Sequence, residues 1–205
     1  MRRALDLFCG AGGAAKGLQR AGFHVTGVDI EHFWRYCGDV FVKADAMTVT
    51  LDGYDFVWAS PPCQDHVKSP GAMRPHGTGW MLAAIRERLL TLDVPWVIEN
   101  VPGAPMRADY KLCACRFNLR RLKRVRWFET SWGAQDNPPK CYHPERSISV
   151  TGGGTPTGTW LVYGCLRLKD FQDVMGIDWM TRKELSQAIP PAYSEFIGRQ
   201  VIEML

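Results

Sequence analysis

Three groups of residues have types that could do chemistry, and each follows or interrupts a stretch that reads as regular structure. Cys63 sits in Ser60-Pro61-Pro62-Cys63-Gln64, Glu99 opens Glu99-Asn100-Val101-Pro102-Gly103, and Arg124-Val125-Arg126 lies within a basic run. A thiol is a nucleophile once ionised, a carboxyl group can hold a proton, and guanidinium forks suit phosphates and base oxygens. A free cysteine alone is most often a small buried hydrophobe, so Cys63 gains weight only from its company. The two prolines before it fix φ twice and remove two N–H donors. Neither helix nor sheet can run through them, and the thiol is carried on a stiffened loop.

The elements that must position these groups read as alternating strands and helices. Ala4–Phe8 reads as a strand, Cys9-Gly10-Ala11-Gly12-Gly13 as a tight loop, and 14–20 as a helix closed by Gly22. A second strand, Phe23–Ile30, carries Asp29, and a third near Val40–Ala44 ends in Asp45. A strand, a glycine loop, a helix, then a strand ending in an acid is the pattern of a nucleotide-type cofactor site. The glycines let backbone approach a ligand, and the acid can take ribose hydroxyls; a tight connection with no ligand would use the same glycines. Tyr54–Ala59 and Pro95–Ile98 read as core strands, separated by an amphipathic helix at Trp80–Leu90 with Leu82, Ile85 and Leu89 on one face. Cys63 and Glu99 are therefore expected at one carboxyl edge of one sheet, where open α/β sheets bind ligands. Residues 65–78 have little periodicity and are expected to form a surface loop over a substrate. Thr181-Arg182-Lys183-Glu184 is a capping-box start, and Pro190-Pro191 precedes a last helix at Ala192–Glu203.

A chain of 205 residues, 46% hydrophobic and 22% charged, suits one soluble domain. No apolar run approaches the roughly 20 residues of a membrane span, and Asp6 falls where the apolar part of a signal peptide would begin, so the cytoplasm is expected. Seven cysteines, an odd number, argue against a disulfide framework. The net charge of +4 says little, but its distribution says more. Arg116, Arg120, Arg121, Lys123, Arg124 and Arg126 form a stripe suited to phosphates, with no acid from Lys111 through Phe128. Beside it, Cys113-x-Cys115 and Cys141-x-His143 offer four candidate zinc ligands. Because Cys-x-Cys is tighter than the usual spacer, ordinary reduced thiols are the first expectation there and zinc the alternative.

Asp6-Leu7-Phe8-Cys9-Gly10-Ala11-Gly12-Gly13, the Cys63 loop, the Glu99 block, Arg124-Val125-Arg126 and Ile189-Pro190-Pro191-Ala192 together resemble the cytosine-C5 DNA methyltransferase family over nearly the whole chain. The compactness is similar to that of phage and mobile-element members. The resemblance implies an α/β fold, a doubly wound and mostly parallel sheet of the S-adenosylmethionine-dependent methyltransferase type. Residues 1–128 plus 170–205 would be catalytic, and 129–169 a very small target-recognition insertion. It implies methyl transfer from S-adenosylmethionine to C5 of cytosine in DNA. Cys63 would add to C6 as thiolate, Glu99 would hold the N3 and amino edge, and Arg126 with Arg124 would reach the base oxygen or a phosphate. Phe8, Gly10 and Gly12 would frame the methionine part of the cofactor, Asp29 its ribose, Ile30 an adenine face and Asp45 the adenine amino group, with Pro61 alongside. A base stacked in a duplex must be flipped out to be reached.

By the same resemblance the chain would work as a monomer on DNA, in the host cytoplasm if phage-encoded, and would mask DNA from restriction. An RNA cytosine-C5 methyltransferase is the alternative, as is a non-catalytic cofactor- or DNA-binding module. Cys63, Glu99 and Arg126 weigh against the module. Two departures stand out. Leu122 occupies a position where the family has Gln, and Ser186-Gln187-Ala188-Ile189-Pro190 replaces a Gly-Asn pair, which leaves open how that loop is braced.

Overall fold

Short β-branched and aromatic runs alternate with helices, and the chain orders them around one sheet. The computed structural model describes residues 1–63, 66, 77, 79–133, 140–143, 147–150 and 166–205. Gln64, nearly all of the 65–78 loop, the glycine run at 152–154 and Cys165 lie outside the described residues. In order come β1 (Arg3–Leu7), α1 (Gly13–Ala21), β2 (His24–Asp29), β3 (Val40–Lys43), β4 (Phe56–Ala59), α2 (Trp80–Leu89) and β5 (Trp96–Asn100). They are followed by β6 (Tyr110–Cys113), a 3-10 turn at Ala114–Phe117, β7 (Val125–Thr130), α3 (Leu168–Met175), α4 (Arg182–Gln187) and α5 (Pro191–Met204). The sheet runs β3-β2-β1-β4-β5-β7-β6. Its first five strands are parallel, and β7 and β6 join antiparallel, so the mostly parallel α/β fold expected from the sequence is found.

Inside the exposed edge strand β3, the sheet is covered on both faces, which is why the central strands β1, β4 and β5 are largely apolar on both sides. Alternate residues face opposite ways. Ala4, Phe56, Trp58, Val97 and Phe128 pack with Leu18 of α1 and Tyr193, Ile197 and Val201 of α5. Leu5, Leu7, Val57, Ala59 and Ile98 pack against Leu82, Ile85 and Leu89 of α2. Each such fully buried side chain contributes roughly 1.5–3 kcal/mol. α1 and α5 approach closely because both are notched by glycine. A Cβ at Gly198 would lie 2.9 Å from that of Ala21, and one at Gly17 would collide with the Pro191 carbonyl. Pro191 starts α5 at the position where a missing N–H costs nothing. The capping box before α4 forms as the sequence predicts, with the Thr181 hydroxyl accepting from Glu184 N–H and the Glu184 carboxylate accepting from Thr181 N–H.

Sequence reading missed β6, β7 and α3. The basic run hid the first two: Val125-Arg126-Trp127-Phe128-Glu129-Thr130 has strand residues, but two of its side chains are long ions that read as surface. β7 extends through Glu129 and Thr130, both fully buried. In α3 the signal was Phe171 and Met175, four apart and buried, behind an Asp170 carboxylate that accepts from Arg167 N–H at 2.7 Å. Among the described residues no helix is long and apolar enough to cross a membrane.

Candidate functional site

The loop after β4 is fixed from both neighbouring strands. Ser60 N–H donates to the Leu7 carbonyl of β1 (3.1 Å), and the Asn100 side chain at the end of β5 donates to the Pro61 carbonyl (3.2 Å). Asn100 in turn accepts from Val101 N–H (2.9 Å), so a buried amide with both ends satisfied clamps the proline loop. Sequence analysis noticed Asn100 only as the neighbour of Glu99 and gave it no role. Cys63 is half-buried at this rim, and its carbonyl accepts from His66 N–H at 2.9 Å.

Glu99 and Arg126 meet because of register. β5 pairs Glu99 with Phe128, and Arg126, two residues before Phe128, lies on the same face as the diagonal neighbour. Arg126 Nε stands 2.8 Å from Glu99 Oε1, both side chains about nine-tenths buried. Burial pushes the Glu99 carboxyl above its ordinary range, while the Arg126 and Arg124 charges pull it back. Burial also raises the Cys63 thiol, Glu99 adds to that, and the two arginines oppose it. The four side chains therefore form one electrostatic unit at the carboxyl ends of β4 and β5.

Arg124 has a further task that the sequence did not disclose. One guanidinium nitrogen donates to the carbonyls of Ser186 (3.0 Å) and Ala188 (2.6 Å). Arg124, the residue just before β7, thus braces the loop at 186–188. Tyr193 donates to the Arg124 carbonyl and holds the strand to α5. Arg124 Nε and Nη1 are buried with no hydrogen-bond partner, and burial together with Arg126 lowers its pKa to about 9. Leu122 is fully buried and bridges Ile148, so its position is a core position where an amide would have to be satisfied.

The glycine loop joins β1 to α1 through left-handed backbone at Phe8 (φ 60°), Gly10 (φ 52°) and Gly12 (φ 88°). A side chain at Gly12 would press on Cys37 Sγ at 2.9 Å, whereas one at Gly10 would meet nothing within 4 Å. Space above Gly10 is thus open. Asp29 closes the loop from β2, its two oxygens accepting from Gly10 N–H (3.0 Å) and Glu31 N–H (3.1 Å). Ile30 next to it is 66% exposed, and Asp45 after β3 is exposed with one oxygen on Met47 N–H. Phe8, Gly10, Gly12, Asp29, Ile30 and Asp45 hence follow the carboxyl ends of β1, β2 and β3, with Pro61 beside them after β4. Open space over glycines and an acid with spare lone pairs suit the ribose and amino acid parts of a nucleoside cofactor. The C-terminal segment leans on this loop: Trp179 donates its indole N–H to the Ala11 carbonyl (2.8 Å), and a Cβ at Gly13 would lie 2.6 Å from the Ile189 oxygen.

Beneath the loop, Asp6 is fully buried, with no side-chain or charged partner for its carboxyl among the described residues and only the Ala15 backbone N–H to favour its ionised form. Burial, and then the Asp29 charge, holds its pKa well above the usual carboxylate range. A folded-state pKa above the unfolded value of about 3.9 means that the folded chain keeps a proton the unfolded chain releases. That contribution is full below about pH 4 and is lost as pH rises toward the folded pKa. Asp6→Asn should therefore melt with a shallower pH dependence than the parent between pH 5 and pH 8, measured by thermal unfolding. Parallel curves would mean that Asp6 is not a neutral acid.

Away from this rim, the ligand atoms of Cys113, Cys115, Cys141 and His143 lie within 4.8 Å of one another.

No protein-family model matches the chain, and no curated protein matches its sequence. Solved structures do match. A Dnmt2 methyltransferase from S. pombe superposes with a TM-score of 0.63 at 13% identity, over 100% of this chain and 99% of that one. A DNMT2 variant from Spodoptera frugiperda gives 0.66 at 12% identity, over 98% and 100%. A prophage-encoded E. coli protein assigned as a DNA modification methyltransferase gives 0.51 at 20% identity, and there the match spans 63% of this chain and 46% of that one. At such identities the likeness is one of fold, and it establishes that this chain has the fold of those methyltransferases.

Proposed function

We propose that the chain transfers a methyl group from S-adenosylmethionine to C5 of cytosine in DNA. One observation carries this reading: Cys63, Glu99 and Arg126, distant in sequence, share one rim beside a nucleoside-shaped loop, with Arg126 2.8 Å from Glu99. When bound, S-adenosylmethionine supplies an electrophilic methyl group on its sulfonium. Phe8, Gly10, Gly12, Asp29, Ile30, Asp45 and Pro61 are the residues that would hold it.

The chain's own groups act on the base. Cytosine C5 is a poor nucleophile until a nucleophile adds at C6; in this reading the Cys63 thiolate adds there, C5 takes the methyl group, and loss of the C5 proton to solvent then expels the thiolate from C6. Its raised pKa keeps the free protein's thiol protonated at neutral pH, which protects it from side reactions. Entry of a base that engages Glu99 removes part of the negative field that disfavours the thiolate, while Arg126 and Arg124 remain to favour it. Glu99, whose carboxyl pKa burial raises, can take up the proton the thiol gives up as the base engages it and pass it to N3, offsetting charge that develops as the ring is attacked. The basic stripe divides accordingly. Arg124 and Arg126 turn inward, whereas Arg120, Arg121 and Lys123 are exposed where phosphates can reach them.

The test is labelled methyl donor with duplex DNA, single-stranded DNA and RNA, followed by nucleoside analysis. Label in 5-methylcytosine of DNA is expected. Label only in RNA would replace the substrate in this reading, and cofactor binding without transfer to any of them would point to a non-catalytic module.

A further inference from the structure

We infer that Cys113, Cys115, Cys141 and His143 form a structural zinc site that ties the segment at 140–143 to the edge of the sheet. The four ligand atoms lie within 4.8 Å of one another, with Cys113 Sγ 3.1 Å from His143 Nε2. In a tetrahedral site with Zn–S bonds of about 2.3 Å, neighbouring sulfurs sit about 3.8 Å apart. Closing on a metal thus asks for movements of about 1 Å.

Three features favour a metal over four ordinary side chains. The first is the imidazole. His143 Nδ1 is 3.2 Å from the Arg120 carbonyl, which can only accept, so the proton is on Nδ1 and the Nε2 lone pair faces the thiols. A zinc-bound histidine is oriented in this way, with its second nitrogen donating to a backbone carbonyl. The second is the spacing. Cys113 ends β6 in extended backbone and a 3-10 turn starts at Ala114, so the chain changes direction between Cys113 and Cys115 and brings the two thiols together. The tightness that made Cys-x-Cys look unsuitable is relieved by that turn. The third is charge. Three thiolates and Zn²⁺ carry a net charge of −1, and Lys111, Arg116, Arg120 and Lys140 line the cavity of about 410 Å³ against which the cysteines lie. These cations offset the net charge that the metal and its thiolates would leave on the site.

The site has a consequence for the rim. Cys113 pairs with Val125, the residue between Arg124 and Arg126, so the metal is anchored in register with both arginines. Its other two ligands come from a stretch that otherwise has little core of its own: Cys141 and Tyr142 are exposed. A closed site would supply the rigidity that so short a segment cannot obtain by burying apolar surface. Zinc binding is independent of what the chain methylates.

The full chain, purified without chelator from zinc-supplemented medium, should contain about one zinc per molecule by elemental mass spectrometry. Cobalt exchanged into it should show the visible bands of tetrahedral cobalt and a thiolate charge-transfer band. Cys141→Ser, at the exposed ligand where loss of the thiol unpacks nothing, should lower zinc content at least about fivefold. Cys63→Ser, outside the set, should leave it unchanged. Folded protein with less than about a tenth of a zinc per chain, an octahedral cobalt spectrum, or full zinc in Cys141→Ser would each overturn the site. Retention of zinc in a chain that transfers no methyl group would leave it standing.

Discussion

Cys63→Ala will abolish methyl transfer and the covalent trapping of DNA that carries 5-fluorocytosine, while cofactor binding persists. The expected loss is at least about 10⁴-fold, which corresponds to about 5.4 kcal/mol of barrier at 1.36 kcal/mol per decade. The size follows from the division of labour proposed for the rim. In that reading Glu99 and the arginines hold and polarise a base but cannot add to C6, so without the thiol C5 would stay a poor nucleophile. Folding should be barely affected, because Cys63 is half-buried and the loop is held by Asn100 and by the prolines. The thiol also has a pH signature. Burial and Glu99 raise its pKa above the ordinary 9, so alkylation of Cys63 in the free protein should still be climbing at pH 9. Peptide mapping after iodoacetamide treatment measures this. An adduct that survives in Cys63→Ala would show that the nucleophile is elsewhere; a plateau by pH 8 would show that the arginines outweigh burial.

How much of this was legible in the sequence differs from one strand to the next. β1, β2, β4 and β5 were readable because a sheet covered on both faces needs short apolar runs, and turn residues bound them. The rim was readable too, since Cys63 and Glu99 each follow such a run and a parallel sheet sends both to the same edge. β7 was not, because Arg126 within it and Arg124 just before it are buried by their pairing with Glu99 and with the Ser186 and Ala188 carbonyls, and no local pattern announces a partner 27 or 62 residues away. Asn100 and Trp179 escaped for the same reason. Their hydrogen bonds, to Pro61 and Ala11, are long-range facts written only in three dimensions. The convergence of Cys113 and Cys115 with Cys141 and His143 was not legible in the Cys-x-Cys spacing, because linear distance says nothing of a strand that turns into a 3-10 helix between its two thiols.

Arg126→Ala should be the most destabilising single change at the rim. It leaves the Glu99 carboxylate buried without its ion-pair partner, and breaking such a pair costs about 3–5 kcal/mol. For a chain of this size that is a fall in melting temperature of roughly 10 °C. The deficit must depend on pH, with a sign that can be worked out. Glu99 is already raised by burial even with Arg126 present, so removing the arginine raises it further. A folded-state pKa above the unfolded value of about 4.3 confers stability at low pH that is lost as pH rises. Arg126→Ala should therefore be closer to the parent at pH 5, where protonated Glu99 needs no counter-charge, than at pH 8. Glu99→Gln has no carboxyl to titrate: it strands Arg126 instead, and because the parent's raised Glu99 loses stability as pH rises and Gln does not, its deficit should shrink from pH 5 to pH 8, opposite in sign to Arg126→Ala. Combining the two removes both charges and should restore much of the stability, a coupling read from a double-mutant cycle. Transfer should stay low in all three, by about 10²–10⁴-fold, because the base edge has lost its holder whether or not the fold recovers. Recovery of stability without recovery of transfer is thus the pattern that separates a site pair from a structural salt bridge. Single variants that melt within 2 °C of the parent, with unchanged pH slopes, would show that Glu99 and Arg126 do not form that pair in solution.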